Sequence, residues 1–259
     1  MTAPRPAYFR QLSPTRFEAT EFTSGAWNTS EQHIAPAIGL LAHLIEADHR
    51  SRGGQLRLAS LSCDILGVLA IGEFDVEVSV VRPGRTIELV EAVLTSGGRT
   101  GVRARAWMLQ TADTEGVAGS GFAAMPALAS TPPFPFGETW EGQCVKTLEV
   151  RREQLGAGRG RSWVRTDTEL LAGATVSEHA RFVGMLDFAN GLVPRANPAE
   201  IAFPNVDLNV SFFRAPAGDW LGLDTTVSFG PDAVGLTESV VHDEHGPVGT
   251  LSQTLTIRA

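Results

Sequence analysis

The sequence predicts an α+β fold built from two tandem copies of one unit, a helix wrapped by antiparallel strands. Three observations carry this. The last fifth of the chain alternates with period two: Leu221, Leu223, Thr225, Val227 and Phe229 share one parity, and Leu251, Gln253, Leu255 and Ile257 share another. That period marks a strand with one buried face. Near the N-terminus Ile34, Ile38, Leu41 and Ile45 recur at helical spacing. The halves also overlay, with Gly72-Glu73-Phe74 on Gly218-Asp219-Trp220 and Gly101 on Gly249. Self-similarity of this kind reads as duplication, each copy about 120 residues.

In order, Tyr8–Thr20 reads as a hairpin turning at Ser13-Pro14-Thr15. The first helix follows, with Thr29 or Ser30 as its cap, Pro36 in its first turn and Gly53-Gly54 at its end. Ala35, Ala37, Gly39 and Ala42 make its second shell small, which suits close wrapping by a sheet. Strands are expected over Leu56–Leu66, Glu73–Arg82, Thr86–Thr95 and Gly101–Gln110, separated by turns such as Arg82-Pro83-Gly84-Arg85. Gly116–Gly137 has little periodicity and much Ala, Gly and Pro, so it reads as a connector. The expected division is 1–120, a linker over 121–140, and 141–259.

The second half opens with strands over Val145–Arg151 and Ser162–Thr166. Its helix spans Ser177–Asn190, with Thr175-Val176-Ser177-Glu178 as a capping box and Phe182, Met185, Leu186 and Ala189 as the buried stripe. Four strands close the chain: Phe203–Phe213, Trp220–Phe229, Gly235–His242 and Val248–Ile257. Their short links predict a simple antiparallel meander.

Composition narrows the function. The chain has 259 residues and a net charge of −8, which argues against a nucleic-acid or anionic-membrane surface. No apolar run is long enough to span a membrane, and MTAPRPAYFRQLS lacks the apolar core of a signal peptide. Cys63 and Cys144 form no disulfide framework. A cytoplasmic protein is expected.

Two polar residues interrupt the closing strands. Asp207 lies beside Val206, Leu208 and Val210, and Gln253 shares a face with Leu251 and Leu255. A carboxylate on a buried strand face is costly unless it is hydrogen-bonded. By itself this pattern fits an exposed strand Asp and an edge Gln.

The segments Gly25-Ala26-Trp27 with Gln32-His33, FDVEVSVVRPGRTIELVEAVL, Asp187-Phe188-Ala189-Asn190-Gly191-Leu192 and VDLNVSFFRAP with the strands after it carry a resemblance. Together, and in duplicate, they resemble the double-hotdog acyl-CoA thioesterases of the bacterial thioesterase II type. The resemblance implies hydrolysis of an acyl-CoA thioester without a cofactor or metal. It also implies a water held by an Asp, a Thr or Ser, and a Gln in the second hotdog. Those roles fall on Asp207, Ser228 (with Thr226 as the fallback) and Gln253. Asp207 would be the general base, so Asp207→Asn is expected to lower turnover roughly a hundredfold. Carbonyl donors would come from a helix N-terminus, the first helix near His33 being favoured. The resemblance further implies an acyl-CoA partner and a homodimer or higher homo-oligomer.

Other signals weigh less. No Gly-x-Ser-x-Gly elbow occurs. Gly156-Ala157-Gly158-Arg159-Gly160-Arg161 precedes a strand rather than a helix, so it reads as a basic turn before it reads as a phosphate loop. His242 and His245 lack further metal ligands. Asp187 and Asn190 read first as structural hydrogen-bonding groups at the helix–sheet seam. Two alternatives remain open: an acyl-CoA hydratase or dehydratase, which would need an Asp–His or Asn–His pair not found near Asp207, and a non-catalytic acyl-CoA binding module.

Overall fold

The computed structural model describes residues 5–258. Residues 1–4 and 259, where the expected division begins and ends, lie outside them. The first half comprises the hairpin β1 (Ala7–Gln11) and β2 (Arg16–Ala19), helix α1 (Ile34–Ser51), and strands β3 (Arg57–Ile65), β4 (Glu73–Arg82), β5 (Ile87–Ser96) and β6 (Arg99–Leu109). The connector carries two 3-10 turns and the single-turn helices α2 (Phe136–Thr139) and α3 (Gln143–Lys146). The second half follows with β7 (Leu148–Gly156), β8 (Arg159–Thr166), β9 (Glu169–Leu171), α4 (Glu178–Leu186), α5 (Ala189–Leu192), β10 (Asp207–Phe212), β11 (Leu221–Phe229), β12 (Val234–Asp243) and β13 (Gly246–Thr256).

The described strands join one 13-stranded sheet in the order β7-β8-β11-β12-β13-β10-β3-β6-β5-β4-β2-β1-β9. This corrects the expected meander. β11, β12 and β13 are consecutive neighbours, but β10 pairs with β13 rather than β11. In the same way β3 pairs with β6 rather than β4. The stretches 66–72 and 213–220 are longer than a hairpin turn, so they can carry the chain across to the far edge of the three-stranded meander. β3 and β10 then pair antiparallel with each other, Ser62 opposite Asn209, and join the two halves. A second seam runs parallel between β1 and β9, Phe9 opposite Leu171.

α1 is buried along most of its length, and Ala35, Ala37, Ile38, Leu40, Leu41, Ala42 and Ile45 are fully covered. It ends where expected. Gly53 takes a φ of +77°, the left-handed conformation that glycine adopts at least cost. Gly54 is required for a different reason: a Cβ there would lie 2.2 Å from His49 Nε2. That nitrogen accepts the Leu56 N–H at 2.9 Å, and Nδ1 of the ring meets Glu88 at 3.1 Å. One buried imidazole thus ties the helix end to β3 and β5.

α1 and α4 pack directly against each other. A Cβ on Gly39 would sit 2.6 Å from Gly184 Cα, so the helices cross at backbone contact. They run antiparallel. The Ser177 hydroxyl, which caps α4 by accepting from the Ala180 N–H at 3.1 Å, also donates to Glu46 near the end of α1. Burial pushes the Glu46 carboxyl up, and the Ser177 bond offsets part of this. At the other end, the start of α1 meets the end of α4.

Candidate active site

The start of α1 is set by His33, not by the expected Thr29 or Ser30. Its Nδ1 accepts the Ala35 N–H at 3.2 Å, and its extended backbone makes it the N-cap. Thr29 and Ser30 fall instead in a turn closed by Asn28, whose side-chain oxygen takes the Ser30 N–H at 3.0 Å. The expected second helix is broken. α4 stops at Leu186, Asp187 and Phe188 keep helical backbone angles, and α5 begins at Ala189. The break leaves the Asp187 side chain in the seam between helix and sheet.

Asp187 is 4% exposed. Its Oδ1 accepts two amide N–H bonds, from Asn205 Nδ2 at 2.6 Å and from Gln253 Nε2 at 2.9 Å. Its Oδ2 lies 3.8 Å from His33 Nδ1. That separation is too long for a hydrogen bond, and Nδ1 already accepts from Ala35, so the contact is not an ion pair. Burial lifts the Asp187 carboxyl from 3.8 to about 7, and the two amide bonds resist without winning. The imbalance amounts to about 4 kcal/mol. Burial likewise lowers His33 to about 4, so the ring is neutral near pH 7.

Gln253 is fully buried on the inner face of β13, as its parity requires. Its Oε1 is buried without a protein partner, and so is the Thr237 hydroxyl directly across the ladder. Two polar groups left this way cost free energy unless something hydrogen-bonds them. Acid, amides and hydroxyl therefore converge on one small polar site. Phe188 closes one wall, its ring 4.3 Å from that of His33. Trp27, Trp140 and Phe203 form an edge-to-face cluster close by, with Trp27 44% exposed.

The structure separates the three residues expected to act together. Gln253 is at the site. Asp207 is not: it shares the outer face of β10 with Asn209 and Ser211, while Leu208, Val210 and Phe212 point inward. Its carboxylate accepts the Thr254 N–H at 2.6 Å and the Thr254 hydroxyl at 3.1 Å, a bracket at the start of the β10–β13 ladder. Ser228 and the fallback Thr226 are exposed on the outer face of β11. The physical reason is strand parity, because inner-facing positions of β11 are odd-numbered and those of β10 even-numbered. Asp187 lies at the helix–sheet seam and is hydrogen-bonded there by two amides, as its reading as a structural group expects, and burial raises its carboxyl as well. Asn205 was missed two residues from the position chosen. The acidic residue inside the apolar run Met185-Leu186-Asp187-Phe188 was the available signal.

Both cysteines are buried near Asp187, and burial raises both thiols well above their ordinary range. Protonated thiols are poor nucleophiles. A cavity of about 820 Å³ runs beside α4, walled by Tyr8, Leu170, Phe182 and Met185 with Arg165 and Arg181 at its margin. Asp187, Asn205 and Gln253 do not line it. The described residues contain no group of three or more metal-binding side chains and no helix long and apolar enough to cross a membrane.

Comparison with known proteins bears on the fold and the family. In fold the chain is similar to a hot-dog-fold protein of unknown function from Alicyclobacillus acidocaldarius, with a TM-score of 0.74, 14% sequence identity, and 96% of this chain and 95% of that one covered. It is also similar to acyl-CoA thioesterase II TesB2 from Mycobacterium marinum, with a TM-score of 0.66, 17% identity and coverage of 96% and 95%. A TesB protein from Mycobacterium avium subsp. paratuberculosis gives 0.65, 18%, and 97% and 96%. At these identities the likeness establishes a hotdog fold. No curated protein matches the chain in sequence. Residues 23–109 match the model of the acyl-CoA thioesterase N-terminal domain, and residues 120–257 match that of the acyl-CoA thioesterase C-terminal domain. The chain belongs to the acyl-CoA thioesterase family.

Proposed function

We propose that the chain is a double hotdog, with units over 1–120 and 141–259 joined by 121–140, that hydrolyses a fatty acyl-CoA by water activated at Asp187. The observation that supports this most is a carboxyl 4% exposed and lifted to about 7, held by two amides beside the N-terminus of the other half's helix. A general base works best when its pKa lies near the working pH. In this reading Asn205 and Gln253 fix Oδ1, leaving Oδ2 to take the proton. Gln253 Oε1 and the Thr237 hydroxyl offer further bonds that orient the water. Water oxygen bonds to the thioester carbon, its proton passes to Asp187, and the carbonyl electron pair moves onto oxygen. When the C–S bond breaks, the thiolate leaves with the pair and takes the proton back from Asp187. The positive end of α1 faces the developing oxyanion.

A panel of acyl-CoAs tests this by release of free thiol. Turnover of fatty acyl-CoAs is expected, and Asp187→Asn should lower it roughly a hundredfold or more. An active Asn variant removes Asp187 from the mechanism, and a panel without release leaves a binding module.

One observation favours a second reading. His33 beside Asp187 is the acid–histidine pair that a hydratase or dehydratase would use. Hydration of an enoyl-CoA without thiol release would establish that alternative.

A further inference from the structure

We propose that His33 is a catalytic residue whose Nε2–H donates a hydrogen bond to the substrate's thioester carbonyl. The proposal rests on the thioesterase reading above and names the donor that this reading leaves open.

The tautomer follows from the helix. Nδ1 accepts the Ala35 N–H at 3.2 Å, so it carries no proton. A neutral ring then holds its single proton on Nε2. Charging the ring would place a cation against the positive end of α1 in a buried position, and both effects oppose it. Neutral imidazoles held in this way at helix N-termini can polarise carbonyl groups.

The position fits that task. The ring lies tilted by 32° against that of Phe188, the residue after Asp187, and Nδ1 stands 3.8 Å from Asp187 Oδ2. Nδ1 of His43, Nε2 of His179 and both ring nitrogens of His242 are buried without a partner, whereas His33 Nε2 is not sealed in this way. The His33 side chain is 13% exposed, so the ring is not wholly enclosed. The Ala35 N–H, a natural carbonyl donor at the start of α1, is already taken by this ring. The imidazole therefore passes the pull of the helix on to Nε2–H, on the ring whose Nδ1 stands 3.8 Å from Asp187 Oδ2. During hydrolysis Nε2 keeps its proton, because the oxyanion needs only the hydrogen bond until the C–S bond breaks.

His33→Asn is the informative variant. Asparagine is a good N-cap and can still accept the Ala35 N–H, but its short amide cannot reach where Nε2 reaches. With a substrate that wild type turns over, kcat should fall about a hundredfold, with KM within about threefold and melting temperature near wild type. His33→Ala should lose both activity and some stability. A second readout does not depend on turnover: the infrared carbonyl band of a bound acyl-dethia-CoA ketone. The band should be shifted to lower frequency in wild type and Asp187→Asn, and should return toward its free position in His33→Asn. An unchanged band in His33→Asn, full activity of that variant, or failure of the ketone to bind overturns the proposal. A shifted band without thiol release from any acyl-CoA upholds His33 as the donor and sinks only the thioesterase reading.

Discussion

In the proposed mechanism Asp187 is a residue kept for chemistry at a cost in stability. Its carboxyl is raised from 3.8 to about 7, so the folded chain binds a proton more tightly than the unfolded chain does. Between those values the folded state holds more protons, and stability falls as pH rises through the window. The charge that destabilises the fold is the form able to accept a proton from water. Two outcomes follow. The rate at low substrate should climb as pH passes through about 7, which a pH profile of kcat/KM measures. Asp187→Asn should melt at or above the wild-type temperature at pH 8 while losing activity. A lower melting temperature there would mean that the carboxylate is stabilising. Asp207 provides the control. Its bonds to Thr254 are structural, so Asp207→Asn should keep turnover within about threefold, as changes outside the reacting groups usually do. Part of this was legible beforehand, since Asp207, Asn209 and Ser211 share a parity opposite to Leu208, Val210 and Phe212. The sequence placed Asp187 at the helix–sheet seam, but its partners Asn205 and Gln253 were not legible in the same way, because they come from distant segments.

At the scale of elements, the proposed mechanism depends on the approach of α1 to α4. His33 and Asp187 sit at the adjoining ends of these helices, so the crossing distance sets the gap between them. The crossing is asymmetric. A Cβ on Gly39 would meet Gly184 Cα at 2.6 Å and Ala180 O at 3.1 Å, whereas a Cβ on Gly184 would meet Gly39 Cα at an ordinary 3.5 Å. Gly39→Ala should therefore force the helices apart, costing about 1–3 kcal/mol and a large share of activity. Gly184→Ala should cost little, and its slight gain in helix propensity could offset that. Denaturant midpoints and kcat on both variants check this. Equal behaviour would show that the crossing is not what sets the site. The sequence marked Gly39 as one of a run of small residues, but its partner could not be read from one helix alone.

Across the whole molecule, the sheet makes the two halves one body. β3 pairs with β10 and β1 with β9, so each half supplies an edge that the other covers. An uncovered edge invites pairing with other chains. Residues 120–257 expressed without the rest should aggregate or fold poorly, and should release no thiol even where soluble, because His33 and the N-terminus of α1 are missing. A soluble, active second half would disprove this dependence.

What the sequence determined by itself is local and repetitive. Period-two and helical spacing give strands and helices, and the shared parity of Leu251, Gln253 and Leu255 gives one face of the last strand. These features follow from backbone periodicity, which is written residue by residue. Tertiary structure alone decided that β10 leaves β11 for β13 and β3, that His33 rather than Thr29 or Ser30 caps α1, and that Asp187 meets Asn205 and Gln253. Each of those depends on contact between segments far apart in the chain, and no local pattern specifies which buried polar groups will meet once the core has closed.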